Sequence, residues 1–103
     1  MPTKAKLKID DLELDIIFFD TDCAKAIVEA LPIESSFNVW GDEFYFTIPV
    51  NMELDETATT DVEVGDIGYW PVGSALAIFF GPTPMSTSEK PVPASEVNLV
   101  GKI

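Results

Sequence analysis

Few residues of this chain can do chemistry, and most of those are acidic. There is no His and one Cys, and eighteen carboxylates face six basic residues, all of them lysine. Cys23 has no imidazole to act as its base, and Asp20 and Asp22 beside it oppose thiolate formation. It reads as a small structural thiol with no intrachain disulfide partner. Glu53, Asp55 and Glu56, and again Asp61, Glu63 and Asp66, gather carboxylates of the kind that hold hard cations. Neither run has the spacing of a metal loop, so both read as a solvated acidic face. Glu43 next to Tyr45 is a lone acid with no second titrating group. The residues assign no catalytic group, no metal and no cofactor.

The richer signal is aromatic. Trp40, Tyr45, Phe46, Trp70, Phe79 and Phe80 supply large apolar surfaces, and most residues of this kind build cores. Three places join an aromatic ring to a chain break or strand end: Tyr45 and Phe46 on one strand, Trp70 and Pro71 at the end of another, and the corner Phe80, Gly81 to Thr83. Together they nominate a ligand-binding hollow of Tyr45, Phe46, Trp70, Pro71, Phe80, Gly81 and Thr83. The Tyr45 hydroxyl, Trp70 indole N–H, Gly81 amide and Thr83 hydroxyl would be its polar groups. A rim Trp is common in recognition surfaces. The competing reading of the FGPTP segment is a rigid corner.

The net charge of −12 narrows the partners. Phosphate backbones are bound by Lys and Arg, so nucleic acid and anionic membranes are excluded and a neutral or cationic small-molecule or peptide-like ligand is favoured. The longest apolar run, Ala75 to Phe80, falls far short of the roughly 20 residues of a membrane helix. The start lacks the pattern of a signal peptide, so the expectation is a cytoplasmic protein.

The elements that must position these residues follow from periodicity. Ala5, Leu7 and Ile9 alternate with lysines, and Leu12, Leu14 and Ile16 alternate with Glu13 and Asp15. A two-residue turn at Asp10-Asp11 then sets Lys8 opposite Glu13, Lys6 opposite Asp15 and Leu7 opposite Leu14. Ala24, Ile27, Val28 and Leu31 share one face of a helix near Thr21 to Leu31, capped by Asp20 or Thr21 and stopped by Pro32. Strands are expected at Ser35 to Trp40 and Glu43 to Ile48, around Gly41-Asp42. Further strands are expected at Val62 to Val64, Ile67 to Trp70, Ala75 to Phe80 and Val97 to Ile103. Asn51 to Thr60 reads as a polar loop and Pro82 to Ser95 as a Pro- and Ser-rich connection. The fold class is mainly β: a small closed antiparallel β-barrel with one helix, in a single domain over residues 1–103. Closure removes exposed edges, and the first and last strands are expected to lie side by side.

Residues 44–52, FYFTIPVNM, are similar to the cyclophilin strand F-H-R-V-I-P-G-F-M, keeping Phe44, Ile48, Pro49 and Met52. Val97 to Ile103, VNLVGKI, resembles the closing V-F-G-K-V strand. WGDEFYFTIPV, GDIGYWPVGSALAIFFGPTP and VNLVGKI together resemble a family of short, uncharacterised prokaryotic cyclophilin-like proteins. The resemblance implies the cyclophilin-like barrel. It also places Phe46 at the position of the catalytic arginine, and a neutral aromatic cannot stabilise a twisting prolyl amide through hydrogen bonds. The expectation is a domain of unknown biochemical role that binds a small or peptide-like ligand without prolyl isomerase activity. The alternatives are an enzyme of unknown reaction using Glu43, Tyr45 or Thr83, and a structural or oligomerising module.

Overall fold

The computed structural model describes residues 2–9, 12–41, 43–81, 93 and 95–103. Strands β1 (Thr3–Ile9) and β2 (Leu12–Phe18) pair antiparallel, with Lys6 opposite Asp15, Leu7 opposite Leu14 and Lys8 opposite Glu13. This is the register that the two alternations predict; the turn at Asp10-Asp11 lies outside the described residues. Leu7 and Leu14 pack against the core. On the outer face Lys6 Nζ donates diagonally to Glu13 at 2.9 Å. That hydrogen bond raises the Lys6 pKa and lowers that of Glu13. Both groups are exposed, so the pair helps to set register and adds little stability.

Helix α1 spans Asp22–Glu29, and the Thr21 hydroxyl caps it by accepting from the Ala24 N–H at 3.1 Å. Its buried residues are Cys23, Ala24 and Ile27. The helix stops short of Leu31, because the Ala30 and Leu31 N–H groups turn back to the carbonyls of Ile27 and Val28. The remaining strands are β3 (Asn38–Trp40), β4 (Glu43–Thr47), β5 (Ala58–Thr59), β6 (Asp66–Trp70), β7 (Ala75–Phe79) and β8 (Val97–Lys102). Val62 to Val64 is not a strand. Asp66 accepts the Glu63 N–H and donates its own N–H to the Glu63 carbonyl, which folds the segment into a turn completed by Gly65 at φ 94°. The short β5 lies instead inside the polar loop, where Ala58 and Thr59 pair with Asn98 and Val97.

The sheet order is β1-β2-β8-β6-β7-β4-β3, with β5 paired to β8. The sheet is curled but open, a half-barrel and not the closed barrel expected. Closure is one way to manage strand edges, and this chain uses two others: β1 carries Lys4, Lys6 and Lys8, and β3 is only three residues long. The first strand is also not beside the last. The slot on β8 is taken by β2 (Ile17 opposite Lys102, Phe18 opposite Gly101), the strand that leads into α1, and α1 itself packs on β8 and β2.

Two apolar clusters lie on the two faces of the sheet. The main core joins Ile16, Phe18, Ile67, Tyr69, Leu76, Ile78 and Val100 to the buried face of α1. The second cluster is Val62, Ala77, Phe79 and Val97. Strand β7 is buried along its whole length because its alternate residues serve both.

Gly101 sits opposite Phe18 on β2, and a Cβ there would press on the Ile17 carbonyl. Gly101→Ala is therefore expected to lower unfolding free energy by about 1–3 kcal/mol, the usual cost of forced overpacking. Urea denaturation checks this, and an unchanged midpoint would show that the β2–β8 ladder yields freely.

Candidate functional site

The second face carries a hollow of about 210 Å³. Its construction begins with the β3–β4 hairpin, turned at Gly41 with φ 63°, where Trp40 lies opposite Glu43. Period-2 alternation then sends Glu43 and Tyr45 to one side of β4 and Phe44 and Phe46 to the other. Across the next ladder Tyr45 faces Ala77 and Glu43 faces Phe79. Beyond that, Gly68 faces Ala77 and Trp70 faces Ala75. Small residues thus occupy the middle of this face while aromatic rings stand around it. Ala77 lines the floor, Trp40, Tyr45 and Trp70 stand around it, and Pro93 and Val97 complete the wall. Val97 leans into the space beside Gly68, where a Cβ would lie 2.6 Å from its Cγ2.

Trp70 is fixed from two sides. Its six-membered ring covers Gly73, so closely that a Cβ there would lie 2.9 Å from Cε3 and Cζ3. Its Nε1–H donates to Ser95 Oγ at 2.6 Å. The indole N–H expected to meet a ligand is thus already engaged within the protein, and what Trp70 offers the hollow is its π face.

Glu43 lines the hollow and is only 7% exposed. Among the described residues no hydrogen bond or ion pair reaches its carboxyl. Burial pushes its pKa up to about 7. A carboxyl in an apolar site without a donor resists ionisation for this reason. Tyr45 is the only other titratable side chain among the described residues lining the hollow.

The structure brings together only part of the nominated set. Tyr45 and Trp70 line the hollow, as does Trp40 from the wider aromatic group. Phe46 and Phe80 pack against the main core, on the opposite face of the sheet. The Phe80 ring meets that of Phe44 in a tilted pair with centroids 5.1 Å apart, and Phe44 also meets Phe37 at 5.4 Å. Pro71 begins a single 3-10 turn after β6, and neither it nor the buried Gly81 lines this hollow. Thr83 lies outside the described residues. Phe79 is fully buried in the cluster on the hollow's face. The sequence offered Glu43 only as a lone acid. Its phase with Tyr45, opposite to Phe44 and Phe46, was the available signal that both share one wall.

Elsewhere, Cys23 is buried and its thiol pKa is raised by that burial. Asp55 accepts from the Thr57 N–H and hydroxyl. Among the described residues no group of three potential metal ligands converges, and no helix is long and apolar enough to cross a membrane.

An open, curled antiparallel sheet with one helix and an aromatic hollow on its outer face defines a β-rich domain with a candidate binding site. The model of the cyclophilin-like family matches residues 3–103, and the chain belongs to that family. It is similar to a hypothetical protein from Archaeoglobus fulgidus whose structure was determined in solution. The identity is 40%, the match covers 97% of this chain and 78% of that one, and the TM-score is 0.82. No curated protein matches the chain.

Glu43→Gln isolates the cost of the buried acid. A folded-state pKa near 7 against 4.5 when exposed means that this residue costs nothing below about pH 4.5, and that stability is lost as pH rises through 7. The full displacement corresponds to roughly 3 kcal/mol. The variant is expected to match the wild type near pH 4 and to exceed its stability by about 1–3 kcal/mol near pH 8. Chemical denaturation across pH checks this, and parallel curves would mean that Glu43 is solvated.

Proposed function

We propose that this cyclophilin-like protein binds a small ligand in the hollow framed by Trp40, Tyr45 and Trp70, and that it is not a prolyl isomerase. The observation that supports binding is Glu43. An acid with no partner inside an apolar wall is destabilising, and such a group makes sense where an incoming molecule supplies the missing interaction. The aromatic walls add apolar contact, and the fixed Trp70 ring keeps one side of the hollow preorganised. The volume lies below the roughly 300–1,000 Å³ of drug-sized pockets, which favours a compact ligand or a single side chain of a peptide.

The case against isomerase chemistry rests on Phe46. The family resemblance aligns it with the catalytic arginine, and its ring packs against the main core. The chain has no arginine to take over the role.

One observation favours a second reading. A carboxyl poised near neutral pH is suited to general acid or base work. Among the described residues the hollow holds no nucleophile other than the Tyr45 hydroxyl, so the binding reading takes precedence.

A fragment screen read by tryptophan fluorescence and chemical shifts is expected to perturb Trp40, Tyr45 and Trp70, and Trp70→Leu is expected to weaken the hits about tenfold or more, the scale of a recognition hot spot. Hits that cluster on another face would overturn the assignment. A coupled peptide assay is expected to show no acceleration over the uncatalysed isomerisation, which takes tens to hundreds of seconds. Acceleration that survives purification and is lost on mutating the hollow would show that this fold isomerises proline without arginine.

A further inference from the structure

We infer that the ligand of the hollow is a small organic monocation, a substituted ammonium group, held by the Glu43 carboxylate between the faces of Trp40, Tyr45 and Trp70. The inference rests on the hollow being the binding site and adds the chemistry of its occupant.

Three independent features select a cation. First, the polar group is of one sign. Glu43 is more than nine-tenths buried, faces the hollow, and has no donor among the described residues. An ionised carboxylate only accepts hydrogen bonds, so its complement is a cation or a strong donor. Second, the other side chains that could bond a neutral polar ligand are few. The Trp70 N–H is spent on Ser95, and the side chains of Ala77, Pro93 and Val97 offer only carbon surface. Besides Glu43, that leaves the Trp40 indole N–H and the Tyr45 hydroxyl, two single groups set in apolar surface, to hold an uncharged molecule. Third, the aromatic faces are themselves attractive to cations. The negative face of a Trp or Tyr ring draws an ammonium group within about 6 Å, with Trp the strongest. Two Trp and one Tyr around a single carboxylate match the needs of a bulky, weakly hydrated cation better than those of a metal ion, which would require several oxygen ligands.

The overall charge of −12 works in the same direction by raising the local concentration of cations and repelling anions. Among the described residues, the elements around Glu43 supply no competing charge. Trp40 on β3, Phe79 and Ala77 on β7, Trp70 on β6 and Val97 on β8 are uncharged, and Tyr45 is the one other titratable neighbour. Bound cation would therefore pair with Glu43 in its ionised form and restore the interaction that burial denies it.

The test uses choline, whose charge is permanent, beside dimethylbutanol, its uncharged carbon isostere, with tryptophan fluorescence and indole chemical shifts as readouts. Choline is expected to bind and perturb Trp40 and Trp70, and the isostere to bind at least about tenfold more weakly. Because only ionised Glu43 is competent, choline affinity is expected to fall about thirtyfold between about pH 8.5 and about pH 5.5. Glu43→Gln is expected to abolish that pH dependence and to weaken choline about tenfold or more at the higher pH. A peptide carrying trimethyllysine separates the two sources of the same head group: tighter binding than choline assigns a peptide-borne cation, weaker binding a free one. If the isostere binds as well as choline and Glu43→Gln changes neither, the cation inference falls while the hollow remains a binding site. If no probe or fragment moves the hollow's tryptophans, both readings fall.

Discussion

The fold depends on β8 being paired along both edges. On one side it carries β6, from Asp66 opposite Lys102 to Tyr69 opposite Asn98. On the other it carries β5 at its start and β2 at its end. The N-terminal hairpin and the polar loop are thus attached to the central sheet through one strand. The close approach at Gly101 allows the β2 contact, and the irregularity between Ile67 and Gly68 lets β6 follow β8 past the point where Val97 crosses over Gly68. Strand pairing alone does not hold the irregular chain between β4 and β5. Two buried polar side chains do that. Tyr69 donates its hydroxyl hydrogen to the Val50 carbonyl at 2.6 Å and accepts from the Met52 N–H. Asn98 accepts from the Asp55 N–H and donates to the Glu53 carbonyl, each at 2.9 Å. Each is fully buried with its hydrogen bonds made, which is the condition under which a buried polar group stabilises.

Glu43 breaks that pattern, and the contrast gives it meaning. Tyr69 and Asn98 point toward the chain and are satisfied by it, whereas Glu43 points into the hollow and bonds to none of the described residues. Proteins have only a modest stability margin, so an acid that burial holds near pH 7, with no partner among the described residues, is a burden. Natural sequences break local rules of this kind chiefly at functional sites. The hollow itself is a second departure. A sheet face covered by Val62, Phe79 and Val97 could have been filled throughout, yet Ala77 leaves room on it while three large rings stand around that room.

Much of the fold was legible in the sequence because period-2 alternation is a local signal. It placed the β1–β2 register residue by residue and located β4, β6, β7 and β8 to within a residue or two. The elements it missed are set by distant partners. β5 is two residues long and exists because β8 offers a free edge there, and Val62 to Val64 turns because Asp66 captures the Glu63 backbone. Closure was inferred from the need to protect edges, but the lysines of β1 and the brevity of β3 meet that need without it. The site was less legible. The same alternation that separates Tyr45 from Phe46 argues against placing both in one hollow, whereas a chain break marks a strand end and does not decide which face a ring takes. The use of the Trp70 N–H by Ser95, 25 residues away, could not be read locally. Nor could the cavity, which is created by the small side chain of Ala77 as much as by the aromatics beside it.

The position of Phe46 also explains why family membership alone does not locate the site. The family match spans residues 3–103 as a whole and assigns no role to any one strand position. The Phe46 ring lies over the main core with Leu76 opposite it on β7. An arginine at this point would force a guanidinium against that core. Glu43, which has no partner among the described residues, is three residues back along β4, and it lies with the hollow on the other face of the same sheet. A fold can keep its strand order while the surface it presents to ligands changes, because neighbouring residues on a strand belong to different faces. The polar group open to a ligand is therefore on the Glu43 side of β4, and the Phe46 side is given over to the main core.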